Sequence, residues 1–290
     1  FREIKKLCIV LKTGTTIDKI EPEGEQLKIS FKNEKNQPQL FNKIIVATGG
    51  SPKREGLKWL EKLGHKIETP VPSLFTFNMP DQAITKLMGL VAEPTTVSIQ
   101  GTKLKSTGPL LVTHWGMSGP AILKLSAFGA RLLNDKNYDF NVQVNWINEP
   151  NNEKISDQIN QIIKSNPKKL ITNIKPFNLP ERLWNYLIER SQLPSNKKWG
   201  ELGNKGINKL VNLLSNDIYN VKGKTTFKEE FVTCGGVSLE SISLNNMESK
   251  VCKNLYFSGE VLDIDAITGG YNFQAAWTTG FIAGKLNSIH

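Results

Sequence analysis

The sequence has no run of about 18 apolar residues, so no membrane-spanning helix is expected. Cysteine is scarce. Cys8, Cys234 and Cys252 are an odd count, and no two stand at C-x-x-C spacing. That argues against a disulfide framework and against a thiolate zinc site. Histidine is equally sparse: His65, His114 and His290 form no ligand cluster, and no metal is expected. No charged start, apolar run and small-residue cleavage site opens the chain. With unpaired thiols, a reducing cytoplasm is the natural compartment. Basic runs are missing too, since no five consecutive residues are Lys or Arg.

What is present is the composition of a globular chain. Its 290 residues suffice for about two domains. Hydrophobic residues make up 39% and charged residues 22%, enough to build a sizeable core. Lys and Arg number 37 against 27 Asp and Glu, a net charge of +10. A basic surface favours nucleic acid, phosphorylated cofactors or anionic membranes. The lysines are scattered among Asn, Ser and Glu, as at Pro167–Lys168–Lys169. Solvated helix faces and RNA contact are therefore both open readings.

Residues 7–50 read as strands. Cys8–Ile9–Val10–Leu11 is a short apolar run, and Leu27, Ile29 and Phe31 alternate with polar residues. Gly24 and Asn33–Pro38 are turn material. Ile44–Ile45–Val46–Ala47 is apolar on both faces, the pattern of a central strand in a mostly parallel sheet. A short helix is expected over 55–63, stopped by Gly64. Short, broken apolar segments over 71–150, including Val97–Ile99 and Leu110–Val112, predict a small inserted β-domain. A helix is expected from Pro120 to about Leu133. Over 151–220, apolar residues recur at helical spacing: Ile155, Ile159, Ile162; Leu183, Leu187, Ile188; Ile207, Leu210, Leu214. That is an all-α insert. From 221 to 290 strands return, with Leu255–Ser258 the most apolar, and a helix follows from Asn272 to Leu286. Its Ala276, Gly280 and Gly284 form a stripe of small residues suited to close packing.

Two strand ends carry the candidate chemistry. Val46–Ala47 runs into Thr48–Gly49–Gly50, where glycine lets a backbone approach a ligand at the carboxyl edge of a sheet. Ser258 runs into Gly259–Glu260. Gly259 leaves room for a bulky cofactor, and the Glu260 carboxylate suits ribose or ribityl hydroxyls. Thr268–Gly269–Gly270–Tyr271–Asn272 opens the last helix, whose free N–H groups favour an electron-rich group. On residue types alone, a flavin site and a plain glycine-rich turn both fit.

Longer stretches narrow the choice. Thr233–Cys234–Gly235–Gly236–Val237, Met247–Glu248–Ser249–Lys250, Leu255 to Asp263 and Thr268 to Asn272 together resemble the C-terminal signature of the BaiN/RdsA flavoprotein family, also described as aminoacetone oxidase-like FAD-binding or NAD(P)/FAD-dependent oxidoreductases. Ala47–Gly50, Leu63–Gly64–His65, Pro72–Ser73–Leu74 and Thr113–His114–Trp115–Gly116–Met117–Ser118–Gly119–Pro120 resemble it as well. The resemblance covers the whole chain in order.

The resemblance implies an α/β fold: an FAD domain of the two-dinucleotide-binding type, interrupted by a β-barrel-like domain and a helical one. The segments would be 1–70 and 221–290 for the FAD domain, 71–150 for the barrel and 151–220 for the helices. Ala47, Thr48, Gly49 and Gly50 would lie near the adenosine and pyrophosphate of FAD. Gly259 and Glu260 would meet the ribityl or pyrophosphate region. Gly269, Gly270, Tyr271 and Asn272 would face the isoalloxazine, and Asp263 and Asp265 would contact the cofactor or fix the loop. The family's opening strand–GxGxxG–helix unit is not found in residues 1–50. With Phe1 as first residue, the chain is expected to lack an N-terminal part. Ala266–Ile267 also departs from a loop that commonly holds glycine.

Candidate reacting groups are few. His114 and Trp115 are expected near the substrate, and His114 could serve as acid or base. Cys234 reads as a small buried residue rather than a nucleophile. Flavin carries the hydride chemistry, so no catalytic residue is named. The expected activity is FAD-dependent oxidation or reduction, with NAD(P)H as electron donor and ribosomal RNA or a small molecule such as an amine as substrate. The alternatives are a non-enzymatic RNA-binding or scaffold protein, or an inactive piece of a flavoprotein.

Overall fold

The computed structural model describes residues 2–32, 37–225 and 232–286. Most of the Asn33–Pro38 turn, and His290, lie outside the described residues. The chain divides into two compact units: Phe1–Pro70, Gly235–Ile264 and Asn272–His290 in the first, Val71–Cys234 and Asp265–Tyr271 in the second.

The first unit holds two sheets. Ile17–Glu23, Gln26–Phe31 and Gln39–Phe41 pair antiparallel in that order. Period-two alternation turns Leu27 and Ile29 inward beside Ile20. The second sheet runs Ile242–Ser243, Glu248–Ser249, Leu255–Phe257, Ile44–Val46. Its last pair is parallel, with Leu255 opposite Ile44, Tyr256 opposite Ile45 and Phe257 opposite Val46. Leu255, Tyr256 and Phe257 are wholly buried, as a continuous apolar strand requires.

The helix Tyr271–Gly284 lies in this unit from Asn272 onward. A Cβ built on Gly280 would come within 3.2 Å of Ser258 Oγ, and one on Gly259 within 3.7 Å of the Ala276 Cβ. Two members of the small-residue stripe thus let helix and strand end approach. Gly284 does not take part, because a Cβ there would meet nothing within 4 Å among the described residues. The helix also exposes Phe273, Trp277 and Phe281, the first two stacked at 6.1 Å.

His65 locks this core. Ser249 Oγ accepts the backbone N–H groups of Val251 and Cys252, so its hydroxyl donates to His65 Nε2 at 2.8 Å. Nδ1 then carries the proton and donates to the Leu60 carbonyl at 3.0 Å. Burial pushes the imidazole below its usual pKa, with the Leu60 bond opposing. His65 is a neutral clasp.

The second unit is built on a seven-stranded antiparallel sheet. Its order is Asp217–Lys222, Asp139–Asn145, Val91–Ile99, Lys105–Val112, Gly116–Ser118, Thr76–Asn78, Lys224–Thr225. The helices Asn152–Ser165, Glu181–Arg190 and Gly203–Ser215 follow the predicted period. One core runs from Phe77, Val97 and Leu110 through Trp146 to Leu183, Trp184 and Leu210. The β and helical segments read separately from the sequence therefore pack as one unit.

Local expectations are corrected in three places. Residues 7–11 are not a strand: a short helix, Arg2–Lys6, precedes an irregular stretch with Leu7, Ile9, Val10 and Leu11 exposed. A strand needs a hydrogen-bonded neighbour, and none is offered there among the described residues. Ile44–Val46 is an edge strand of its described sheet rather than a central one, and Ile45 is exposed. The helix from Pro120 breaks at Gly129 into Pro120–Phe128 and Ala130–Asp135, because glycine is a weak helix former. Val97–Ile99 and Leu110–Val112 are the ends of longer strands.

Candidate functional site

In the first unit, two stretches far apart in the chain leave one sheet edge together. The parallel pair Ile44–Val46 and Leu255–Phe257 ends with Ser258 N–H bonded to the Val46 carbonyl at 3.0 Å. Ala47–Gly50 and Gly259–Glu260 therefore emerge side by side at the carboxyl ends of neighbouring strands. This is where open α/β sheets bind ligands.

Gly49 has φ of +75°, which an L side chain adopts only with strain, and a Cβ there would meet nothing within 4 Å among the described residues. The backbone faces open space. Ala47 and Thr48 are exposed, and Gly50 and Glu260 are half-buried. A cleft of about 530 Å³ adjoins this edge, lined in part by Thr16, Asp18, Ile44, Ala47, Thr48 and Trp59. That volume falls within the range of small-molecule and cofactor sites.

The turn at Gly259 is held from the helix side. Its N–H donates to Thr279 Oγ1 at 2.9 Å, and that hydroxyl donates to the Ala275 carbonyl at 2.8 Å. Sequence reading missed Thr279. Its only local mark is the neighbouring Gly280 of the small-residue stripe. Asn272 stands in the first turn of this helix, half-buried.

Asp263 is half-buried in the first unit, and the remaining predicted residues belong to the second. Gly269 and Gly270 are exposed in the loop that begins at Asp265, and Tyr271, also exposed, is the first residue of the helix. That loop is tied by Ser73, whose fully buried hydroxyl donates to Asp265 Oδ2 at 2.9 Å. Ser73 was visible beforehand only as part of Pro72–Ser73–Leu74. His114 and Trp115 form the exposed tip between the strands Lys105–Val112 and Gly116–Ser118, rings 4.5 Å apart. Cys234 is buried with Val71 and Ala130. No group of three His, Cys, Asp or Glu able to hold a metal occurs among the described residues, and no described helix is long and apolar enough to cross a membrane.

The residues present fit a dinucleotide-type cofactor in part. In the first unit they offer an open, glycine-lined backbone edge and a neighbouring carboxylate.

Comparison with known proteins agrees with this architecture. A sequence profile described as "HI0933-like protein barrel and H2TH domain" matches residues 71–232, the range of the seven-stranded sheet and the three helices. The chain is 30% identical over 274 residues to the ribosomal RNA dihydrouridine synthase of Haemophilus influenzae, covering 91% of this chain and 65% of that protein. It is 24% identical to the 3-dehydro-bile acid delta(4,6)-reductase of Clostridium scindens, covering 98% and 70%. It is 29% identical to the ribosomal RNA dihydrouridine synthase of Escherichia coli, covering 82% and 59%. The chain thus spans about two thirds of the length of these relatives. With more than half of its residues matched by the profile, in a mixed α/β fold, the chain belongs to the HI0933-like family of BaiN/RdsA flavoproteins.

Proposed function

We propose that the protein is a flavin-dependent oxidoreductase that holds FAD at the edge shared by Ile44–Val46 and Leu255–Phe257 and reduces uridine in ribosomal RNA. The observation that carries this reading is the convergence of Ala47–Gly50 and Gly259–Glu260 at one parallel sheet edge. Residues 1–70 and 221–290 would be parts of an FAD domain of the two-dinucleotide-binding type, with no strand–GxGxxG–helix unit among the residues present. Residues 71–150 and 151–220 would be the inserted barrel and helical segments.

FAD, when bound, supplies hydride transfer, with NAD(P)H as the source of electrons. The chain's own part is to bind and orient. The backbone of Ala47, Thr48, Gly49 and Gly50 would accept the adenosine and pyrophosphate portion. Gly259 would leave clearance, and Glu260 would accept hydrogen bonds from sugar hydroxyls. N–H groups at Gly269, Gly270, Tyr271 and Asn272 would meet the ring edge that gains charge on reduction, worth about 0.3–1 kcal/mol from the helix end. His114 and Trp115 would contact substrate.

Uridine in RNA is preferred because two of the relatives are named for dihydrouridine in ribosomal RNA, a product with two hydrogens more than uridine. A second reading, reduction of a small unsaturated ring compound, is favoured by the bile acid reductase. Amine oxidation has no such support. The test is made on the natural full-length protein. It should purify yellow, with Glu260→Ala lowering flavin content. With NADPH and unmodified ribosomal RNA it should form dihydrouridine, seen by mass spectrometry. A colourless parent rejects the flavin reading. A yellow parent that consumes NADPH only with unsaturated steroids transfers the assignment to the second reading.

A further inference from the structure

The second unit carries a charged surface that the flavin site does not use. Lys168 and Lys169 follow the helix Asn152–Ser165, whereas Lys197 and Lys198 precede Trp199 far along the chain. An isolated antiparallel bridge between Leu170 and Lys198 brings the two pairs together. Ile171 N–H donates to the Lys197 carbonyl at 2.9 Å, Trp199 N–H to the Lys169 carbonyl at 2.9 Å and Gly200 N–H to the Pro167 carbonyl at 2.9 Å. Four ammonium groups are thereby carried on two adjoining backbone stretches, with Lys164 on the last turn of the helix leading into them. Lys164, Lys168, Lys169 and Lys198 are exposed and Lys197 is half-buried.

Neutralisation is slight. Among the described residues the only carboxylate within 4 Å of these five lysines is Glu201, at 3.9 Å from Lys198. Like charges gathered on adjoining backbone stretches raise the local positive potential, which a bound polyanion neutralises. The platform is also rigid. Trp199 is fully buried in the bridge, stacked on Trp184 at 6.2 Å and 7°, and Trp184 Nε1–H donates to the Ile171 carbonyl at 2.8 Å. Less backbone freedom is lost when a ligand binds over such a base.

We propose that this lysine cluster is a docking surface for the phosphodiester backbone of RNA. The inference rests on the RNA reading above and assigns it a surface. No large hydrophobic side chain is exposed between Lys164 and Glu201, so the patch lacks the apolar anchors of a protein–protein interface. It has point charges and polar neighbours such as Asn166 and Asn196, the equipment of sequence-independent phosphate contact.

The test measures binding of the chain to a fluorescent RNA hairpin across a salt series. Replacing Lys168, Lys169, Lys197 and Lys198 by Gln should weaken binding at least tenfold at low salt. It should also flatten the slope of log K against log salt by about 3, near one unit per lost phosphate contact. Replacing Lys19, Lys53, Lys58 and Lys62 by Gln removes equal charge elsewhere and should leave the slope nearly unchanged. Lys168→Gln with Lys198→Gln alone should give about half the effect, which keeps the test open should the fourfold variant unfold. Equal losses in both fourfold variants overturn the proposal. So does retention of the full slope, or binding to phosphatidylserine vesicles without binding to RNA. Loss of RNA binding in a yellow parent inert toward uridine would instead keep the surface and reject the uridine reaction.

Discussion

Asp217 gives the sharpest test of how the second unit is held together. It opens the strand Asp217–Lys222 and is 1% exposed. Trp146 Nε1–H donates to its Oδ2 at 3.0 Å and Arg190 Nε–H to its Oδ1 at 2.7 Å, and the Tyr219 hydroxyl also donates to it. Arg190 lies over the Tyr219 ring at 4.6 Å, and its Nη2–H donates to the Ile218 carbonyl at 2.7 Å. Burial raises the Asp217 carboxyl above its ordinary pKa, while Tyr219, Arg190 and Trp146 pull it back. Asp217→Ala leaves a partly buried guanidinium without its carboxylate and a buried indole N–H without its acceptor. Losing one partner of a buried pair costs about 3–5 kcal/mol. The Arg190 side chain is 31% exposed, so water recovers part of that, and the low end applies. The orphaned indole adds about 1 kcal/mol. A loss of about 4 kcal/mol is a large share of the 5–15 kcal/mol typical of a domain. Asp217→Asn keeps one acceptor and should lose about 1–3 kcal/mol. Urea unfolding followed by tryptophan fluorescence reads the change, because Trp146, Trp184 and Trp199 all lie in this core. An Asp217→Ala variant within 1 kcal/mol of the parent, or an Asn variant as weak as Ala, would refute the reasoning.

Four further outcomes are expected. The folded His65 titrates below its unfolded pKa of about 6.5, so the unfolded chain binds more protons between the two values and stability falls as pH drops below about 6.5. Denaturant midpoints measured from pH 7 to pH 5 should decline, and His65→Asn should start lower but decline less. A Cβ at Gly116 would stand 2.1 Å from the Phe77 carbonyl at φ +152°, so Gly116→Ala should prevent the barrel sheet from closing on Thr76–Asn78 and yield insoluble protein. Gly49→Ala, with open space around it, should lose only the 1–2 kcal/mol of the left-handed backbone and stay soluble. Thr279→Val removes the acceptor of the Gly259 N–H, and should lower thermal stability by about 1–3 kcal/mol and weaken flavin retention in the parent protein; full retention would separate this hydroxyl from the site.

Periodicity made the helices of 152–215 and the alternation at Leu27 and Ile29 legible, because each depends on residues within a turn or a strand of one another. The apolar run at residues 8–11 shows the limit: the same local pattern occurs without a neighbouring strand and stays irregular. The two halves of the candidate site were readable as strand ends, each with glycine after an apolar run. Their adjacency was not, since parallel pairing is set by contacts between residues more than two hundred positions apart and leaves no local mark. Here the family resemblance supplied what pattern alone lacked.

The polar anchors were invisible for a related reason. Asp217, Ser73, His65 and Thr279 are each ordinary in their local context, and each acquires its role from a partner on another element. A carboxylate at a strand start reads as a surface group until Trp146, Arg190 and Tyr219 are seen to enclose it. The lysine pairs at 168–169 and 197–198 behave alike. Each pair alone is a solvated segment, and only the bridge beneath them makes the two pairs neighbours. Burial in this protein is legible from single segments only where the apolar pattern is periodic. Charge and hydrogen bonding become meaningful only in pairs of segments, and that is where its chemistry is to be sought.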